Sequence, residues 1–341
     1  EYEKLPALLD LDDAAAAGAR VAPDQVVGRG DVDGALTTAP HRITGEVRCG
    51  GQDHFYLEGQ IAIAVPGEDR DMQVYSSTQH PTEAQHGVAH VLGLPFAAVT
   101  VEVRRMGGAF GGKESQATII AAIAALLAHR ARKPVKLRLP RDVDMEATGK
   151  RHPFRIRWDA GFDGEGRLAG LDLELAADCG NVADLSPAVV SRALCHADNC
   201  YFIPAARYRG LLVKTNTVSN TAFRGFGAPQ GMLAIEAVME AVARHLGRPI
   251  EEVRAANFYG DAPRNLTPYG QEVEDNIIAE VVAHLDGAAD LAAWRRDIAT
   301  FNATSPIIRK GLATMPIKFG VSFNLTTLNQ AGALVHVYTD G

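Results

Sequence analysis

A glycine-rich loop between a predicted strand and a predicted helix constrains the fold of this chain more than any other feature. The loop spans residues 106–115 and has four glycines in six positions, from Gly107 to Gly112. Residues 99–103 before it alternate as a strand does, and apolar residues recur at helical spacing from Ile119 to Leu127 after it. Glycines remove side chains from the backbone, so the N–H groups of the loop can approach a bound group closely. This order of elements predicts an anion-binding site at the start of the helix.

The spacing from Gly107 to Lys113 equals that of a phosphate-binding P-loop, but the next residue does not fit that motif. A P-loop needs Ser or Thr at this position, because the hydroxyl binds the magnesium ion. Glu114 would instead point a carboxylate toward the phosphates. A P-loop nucleotide-binding protein therefore stays an alternative that Glu114 disfavours.

Composition predicts a soluble globular protein with enough residues for a large core. The 341 residues are 47% hydrophobic and carry a formal net charge of −7, with basic residues mostly dispersed, so we expect no nucleic-acid partner. No apolar run of about 18 residues predicts a membrane span, and the polar start of the chain is not typical of a signal peptide. The cysteines lack C-x-x-C spacing, so we expect reduced thiols in a cytoplasmic protein; they are Cys49, Cys179, Cys195 and Cys200.

The pattern of the chain predicts three parts, and both ends resemble cuts within a longer polypeptide. Residues 1–40 look like a linker or the end of a preceding domain, residues 41–265 like a mixed α and β domain, and residues 266–341 like connecting helices followed by a truncated β region from Pro316. Predicted strands cover residues 42–48, 61–65, 135–139, 154–158, 171–175 and 333–338. Predicted helices cover residues 81–92 and 232–246, with two more around residues 277–285 and Trp294.

Aromatic residues recur in or near glycine-rich segments. A second glycine loop, residues 221–231, also opens a helix and carries Phe226 as the first loop carries Phe110. The two rings could plug the core or face a shared cleft and offer their faces to a flat ligand. Residues 318–323 alternate, which places Phe319 and Phe323 on one strand face and favours core packing when taken alone.

Four segments, taken together, resemble the molybdenum-binding region of the xanthine dehydrogenase (xanthine oxidase) family of molybdenum hydroxylases. They are residues 51–58, 106–114, 219–227 and 328–334, and they follow the family order over nearly the whole chain. The resemblance implies an α+β, mixed-sheet molybdopterin-binding fold of the xanthine dehydrogenase and aldehyde oxidase type, present in part. Residues 41–265 would form the first molybdopterin-binding subdomain, and residues 266–341 would lead into the second.

The resemblance also implies roles for individual residues. Around the cofactor, Gln79 would donate a hydrogen bond to a molybdenum oxo ligand, Phe110 and Gly111 would place loop backbone beside the apical oxygen, and Arg224 would line the cofactor region. Molybdenum itself is held by the pterin dithiolene in this family, so we expect no metal ligand from the protein.

The same resemblance places the substrate site. Glu114 and Arg192 would bind the purine and serve catalysis, because Arg192 could stabilise negative charge that develops on the ring. Phe226 and Phe323 would sandwich the purine. We expect packed, hydrogen-bonded structural roles for the nearby polar residues, which are Asp53, His54, Glu58 and His196.

The implied activity is oxidation of hypoxanthine to xanthine and of xanthine to urate, with molybdenum-molybdopterin as cofactor. Iron–sulfur clusters, FAD and NAD would bind other domains or subunits of a homo-oligomeric enzyme that includes the rest of the molybdenum domain. The family's base glutamate and most of its pterin loops match no residue here, so we expect this segment alone to be inactive.

Other functions remain open. An aldehyde oxidase or another N-heterocycle dehydrogenase of the same family is the first alternative, although aldehyde oxidases usually have uncharged residues where this chain has Glu114 and Arg192. A non-catalytic interaction module is a further possibility.

Overall fold

Two mixed sheets, each covered by helices, form the structure, a computed structural model that describes residues 2–323, 329 and 331–339. The strands are β1 Gln25–Arg29, β2 His41–Cys49, β3 Ile61–Pro66, β4 Met72–Ser76, β5 Val99–Glu102, β6 Val135–Arg138, β7 Phe154–Phe162, β8 Leu168–Asp178 and β9 Ala205–Val213. The helices are α1 Leu11–Ala16, α2 Val32–Thr38, α3 Pro81–Leu92, α4 Gln116–Ala131, α5 Arg141–Ala147, α6 Ser186–Leu194, α7 Ala228–Leu246, α8 Ile250–Asn257, α9 Ile278–Ala289 and α10 Leu291–Thr304. The predicted α+β class with mixed sheets is confirmed.

The five-stranded sheet has the order β1-β9-β8-β7-β2, in which only β8 and β9 run parallel. The predicted hairpin is confirmed as β7 and β8, whose inward residues such as Ile156 and Leu173 are completely buried. Helices α6 and α7 pack on this sheet, and α7 contributes Ile235 and Val238 to the same core.

Part of the segment predicted as a linker belongs to this sheet. Strand β1 pairs with β9 in antiparallel register, from Gln25 opposite Gly210 to Arg29 opposite Ala206. Helix α2 packs on β7, β8 and β9, and it buries Val32 and Leu36. The linker interpretation of residues 1–40 is therefore wrong for residues 25–38, because their apolar side chains need the sheet to be buried.

The four-stranded sheet has the order β5-β4-β3-β6 and is covered by α3 and α4. Helix α3 has the predicted bounds, with Pro81 in its first turn and Gly93 in the left-handed region (φ 63°) after its end. Helix α4 buries Ile120 and a row of alanines, while Ile119 and Ile123 on its other side are 55% and 43% exposed. This helix is apolar all round, so periodicity alone could not identify the buried face.

Each glycine loop leads into a helix, but the two loops belong to different sheets. The first loop connects β5 of the four-stranded sheet to α4. The second loop connects β9 of the five-stranded sheet to α7. The fold therefore brings the loops to the boundary between its two halves.

The predicted β region after Pro316 is absent as regular secondary structure among the described residues. Residues 305–323 form no helix or strand, and residues 333–338 do not pair with another strand. A strand needs a neighbouring strand to bond its backbone, and none lies beside these residues in the described ranges. Leu328 and Gln330 of the fourth sequence motif, and Asp340 and Gly341 of the predicted turn, lie outside the described residues.

Among the described residues, no helix combines the length and the hydropathy that crossing a membrane requires.

Packing of α6 against α7 depends on a glycine, which gives a testable prediction. A Cβ atom on Gly231 of α7 would lie 2.2 Å from the carbonyl oxygen of Ala193 in α6, a backbone atom that cannot move aside alone. We expect Gly231→Ala to lower the free energy of unfolding by about 1–3 kcal/mol, as overpacking does. Urea unfolding followed by circular dichroism measures this change.

Gly287→Ala is the matched control, because Gly287 also lies inside a helix but has open space around its Cβ position. We expect the control to gain up to about 1 kcal/mol from helix propensity. Equal effects of the two substitutions would contradict the packing argument.

Candidate functional site

The two glycine loops contact each other through their backbones. The N–H of Arg224 in the second loop donates to the carbonyl oxygen of Phe110 in the first loop, at 2.9 Å. A Cβ atom on Gly111 would lie 2.6 Å from the carbonyl oxygen of Ala222, so only glycine permits this approach. The loops of the two sheets thus form one continuous surface.

A buried histidine makes a second link between the loops. Nε2 of His54 donates to the carbonyl oxygen of Ala222 at 2.6 Å, which requires the tautomer with a proton on Nε2. The His54 ring stacks on Phe223, with centroids 4.5 Å apart. Burial lowers the pKa of His54, so the ring is a neutral structural group.

Lys113 points into the protein and stabilises the first loop from below. Its side chain is completely buried, and Nζ donates to Ser77 Oγ at 2.8 Å and lies 3.4 Å from Glu58 Oε2. Glu58 Oε2 also accepts from the Gly107 N–H at 2.8 Å. Burial would raise the pKa of Glu58, but the Gly107 N–H, the Ser77 hydroxyl and the Lys113 ammonium together lower it.

This orientation of Lys113 contradicts the P-loop alternative. A P-loop lysine must reach phosphates at the mouth of its loop. Lys113 has no exposed side-chain surface and lies over the Tyr56 ring, with Nζ 4.8 Å from the ring centroid. The ammonium group therefore lies inside the protein and does not reach the mouth of the loop.

Gln79 is held so that its amide nitrogen is free. Its Oε1 accepts from the Gly111 N–H at 2.8 Å and from the Lys113 N–H at 3.4 Å. The residue is exposed, and its Nε2 has no acceptor among the described residues. A glutamine held in this way presents a fixed donor beside the first loop.

Both loop phenylalanines adopt a backbone conformation that costs energy. Phe110 has φ 54° and Phe226 has φ 51°; Gly111 follows Phe110, and Gly225 and Gly227 flank Phe226, all three with positive φ. Such conformations in residues other than glycine cost about 1–3 kcal/mol each and concentrate at ligand sites. In the described structure the N–H groups of Gly108, Ala109 and Phe110 have no hydrogen-bond acceptor. These donors suit an oxygen-rich or anionic group.

Glu114 follows the loop and is half-buried. Burial raises the pKa of its carboxyl, the nearby His80 lowers it, and the charges of Glu83 and Asp184 raise it further. No described residue donates a hydrogen bond to this carboxyl group. A half-buried carboxyl with no internal partner is available to a bound ligand.

Arg192 lies in the last turn of α6, is 6% exposed, and binds the chain near Phe323. Its Nη1 donates to the Gly320 carbonyl at 2.7 Å and its Nη2 to the Ser322 carbonyl at 2.5 Å. Its Nε is buried with no partner in the described residues. No ion pair joins Arg192 to Glu114 in the described part of the chain.

The two predicted purine-binding rings contact each other. The centroids of Phe226 and Phe323 are 5.5 Å apart, and the ring planes are inclined by 50°. A planar ligand between two parallel rings needs about 7 Å, twice the contact distance of carbon atoms. A sandwich therefore requires the rings to separate. Asn329 of the fourth motif holds the backbone of Phe323 with hydrogen bonds of 3.0 and 2.7 Å.

The predicted site residues fall into connected groups. Phe110 contacts Arg224 through its backbone, and Phe226 of the same loop lies between Arg192 and Phe323. The Arg224 side chain is exposed and makes no ion pair with described residues. The contributions of His54, Lys113 and Glu58 to loop position depend on distant contacts that the sequence pattern does not reveal.

A family model described as a molybdopterin cofactor-binding domain matches residues 18–258. The xanthine dehydrogenase of Emericella nidulans is 42% identical over the whole chain, which spans 25% of that relative. A nicotinate hydroxylase of the same organism is 43% identical over the whole chain, and the chain covers 26% of that relative. An aldehyde oxidoreductase structure from Desulfovibrio gigas has a TM-score of 0.79 and 27% identity, with 90% of this chain and 34% of that chain covered.

These comparisons agree with the resemblance of the four sequence motifs to the xanthine dehydrogenase family. The chain spans about a quarter of the length of the two Emericella relatives. The two relatives are nearly equal in their identity to this chain, at 42% and 43%.

The ion pair below the first loop gives a stability prediction. Glu58→Gln leaves the buried Lys113 ammonium without a carboxylate, and we expect a loss of about 1–3 kcal/mol in the free energy of unfolding. The matched control is Glu102→Gln, because the Glu102–Arg104 pair is exposed and such pairs contribute about 0–1 kcal/mol. Chemical denaturation compares the two variants; equal losses would show that the Glu58–Lys113 pair does not hold the loop.

Glu114 gives a pH prediction. Its pKa is raised in the folded protein, so the folded state binds more protons and stability falls as pH rises from the ordinary glutamate pKa to the raised one. Above that range the folded protein bears the full cost of holding the half-buried Glu114 carboxylate in its charged form. A glutamine at this position has no charge and avoids this cost. We expect Glu114→Gln to melt at a higher temperature than the parent near pH 7, with a difference that shrinks toward about pH 4.

Thermal melts across this pH range measure the effect. The exposed Glu280 provides the control substitution Glu280→Gln, which should change the melting temperature little at any pH. A Glu114→Gln melting temperature below that of the parent at neutral pH would contradict the burial argument.

Proposed function

The chain belongs to the molybdopterin cofactor-binding domain family, and we propose that it supplies the purine-binding part of a molybdenum hydroxylase that oxidises hypoxanthine and xanthine. The proposal places residues 41–265 in the first molybdopterin-binding subdomain, with residues 266–341 leading into the second. The remaining polypeptide or partner subunits supply iron–sulfur clusters, FAD and the NAD site of a homo-oligomeric enzyme.

The chain's own residues fit the cofactor. The unpaired N–H groups of residues 108–110, the free Gln79 amide and the unpaired Arg224 guanidinium together form a set of donors and positive charge. An oxygen-rich, anionic cofactor needs such a set. When bound, molybdenum-molybdopterin supplies the oxygen-transfer and electron-accepting chemistry. The N–H groups of residues 108–110 and the amide nitrogen of Gln79 would hold and orient it, with Gly111 fixing Gln79 through its own N–H.

The observation that carries the purine proposal is that the Arg192 guanidinium lies 6.0 Å from the ring of Phe226, which pairs with Phe323, while the half-buried Glu114 carboxyl has no internal hydrogen-bond donor among the described residues. A purine presents polar atoms at its edges and a flat apolar face. Phe226 and Phe323 would bind that face, while Glu114 and Arg192 would fix its rotation by hydrogen bonds to the edge. Arg192 would also stabilise negative charge that develops on the ring.

A nicotinate-type substrate is the second candidate, because a nicotinate hydroxylase is as similar to this chain as a xanthine dehydrogenase is. Nicotinate carries a carboxylate, which the Glu114 carboxylate would repel. Beside Glu114 this repulsion favours a neutral purine edge, whereas a carboxylate beside Arg192 would be attracted, so the position of the carboxylate decides between the two substrates.

The kinetic test compares Glu114→Gln with the parent in the complete enzyme, using xanthine and a small aliphatic aldehyde. We expect kcat/KM for xanthine to fall about 100-fold, the effect of losing one positioned polar contact, and the aldehyde value to change less than about threefold. Arg192→Met should show the same selectivity for xanthine. Glu280→Gln serves as the control.

Equal losses for both substrates would refute the assigned substrate contact. A parent enzyme that oxidises nicotinate but not xanthine would overturn the purine proposal and select the second candidate.

A further inference from the structure

Side chains bond the backbone of residues 314–322, a segment that belongs to no helix or strand. Arg254 donates to the Thr314 carbonyl at 2.6 Å, and Asn199 donates to the Pro316 carbonyl at 2.9 Å. The N–H of Lys318 donates to Asn199 Oδ1 at 3.1 Å. The bonded backbone groups thus belong to every second residue of the segment, at positions 314, 316 and 318.

The same alternation continues toward Phe323. The N–H of Gly320 donates to His196 Nε2 at 3.1 Å, and Arg192 donates to the carbonyls of Gly320 and Ser322. In an extended chain, alternate residues direct their backbone polar groups to the same side. One edge of the 314–322 segment is therefore bonded along its length, which explains why the predicted alternation occurs without a partner strand.

A buried ion pair fixes the register of this segment. Lys318 Nζ lies 3.0 Å from Asp198 Oδ2, where the Asp198 side chain is completely buried and that of Lys318 is 24% exposed. Tyr259 donates to the same Oδ2 at 2.6 Å, and Lys318 donates to the Tyr269 hydroxyl at 2.8 Å. A shift by one residue would place an apolar side chain beside Asp198 and leave its charge unpaired, which is strongly unfavourable.

We propose that the Asp198–Lys318 ion pair is a positioning element that sets the register of the 314–322 segment and so places Phe323 against Phe226. The inference rests on the proposed function, in which these two rings bind a flat substrate. Phe323 follows the bonded segment directly, so an error in register would carry its ring away from Phe226.

Loss of the Asp198–Lys318 ion pair should affect flat substrates more than other substrates. The loops and the Gln79 amide that would face the cofactor are held by other contacts, through Lys113 and His54. Loss of the ion pair should therefore weaken ring binding without removing the cofactor. A small aliphatic aldehyde does not need the ring pair, so its turnover reports on the cofactor site alone.

The test uses the complete enzyme with Lys318→Met, the conservative variant Lys318→Arg, and the control Arg244→Met, which removes an exposed ion pair with Glu240. Hydrogen–deuterium exchange of the 314–322 amides is the first readout. We expect Lys318→Met to exchange at least tenfold faster at Lys318 and Gly320, Lys318→Arg to lie closer to the parent, and Arg244→Met to equal it. The KM for xanthine should rise at least tenfold in Lys318→Met, with aldehyde kcat within twofold.

Unchanged exchange in Lys318→Met would overturn the proposal, as would equal changes for xanthine and aldehyde. If Lys318→Met does not fold, the double variant Asp198→Asn with Lys318→Met removes both charges, and the same increase in exchange is expected. A parent enzyme without xanthine turnover would refute the proposed function alone, because the exchange measurement still decides whether the ion pair positions the segment.

Discussion

The hydrogen bond from the Arg224 N–H to the Phe110 carbonyl joins two loops that belong to different sheets, and the site depends on this contact. Gly111 allows the approach, and His54 reinforces it through the Ala222 carbonyl. Because each loop leads into a helix packed on its own sheet, both halves of the fold contribute rigid support. Free donors on this joined surface are what make it suitable for a cofactor.

A buried charged residue positions the first loop, and unpaired polar groups on the joined surface are available to bind a ligand. Lys113 is bonded to Ser77 and Glu58 beneath the first loop, and its burial leaves no cation for phosphates. Glu114, the next residue, has no internal partner and a raised pKa caused first by burial. Two adjacent residues thus differ: Lys113 is bonded inside the protein beneath the loop, and Glu114 has no internal hydrogen-bond donor. Such unpaired groups lower stability, which is typical of functional sites.

Much of the fold could be predicted because its signals are local. Pro81 and Gly93 fix the ends of α3, and the alternation of β7 and β8 identifies the hairpin. The buried face of α4 could not be predicted, because the helix is apolar all round and its alanine face packs inward. The pairing of residues 25–29 with the five-stranded sheet could not be predicted for a similar reason, because β1 is recognisable as a strand only beside β9.

The motifs predict which residues form the candidate site, and that assignment stays a prediction, but they do not reveal the contacts of these residues. The motifs identified Gln79, Phe110, Arg192 and Phe226, yet the direction of the Lys113 side chain depends on Glu58, 55 residues earlier. Residues 318–323 show the alternation of a strand, but Asn199, His196 and Arg192 bond their backbone. Sequence periodicity detects an extended chain without showing what bonds to it.

In the proposed function the joined glycine loops face the cofactor. Anomalous diffraction at the molybdenum absorption edge, from crystals of the complete enzyme, locates the metal directly. We predict a single strong peak in each protomer, beside the Gln79 amide nitrogen and the backbone N–H groups of residues 108–110. A peak remote from both loops, with these N–H groups facing only solvent, would contradict it.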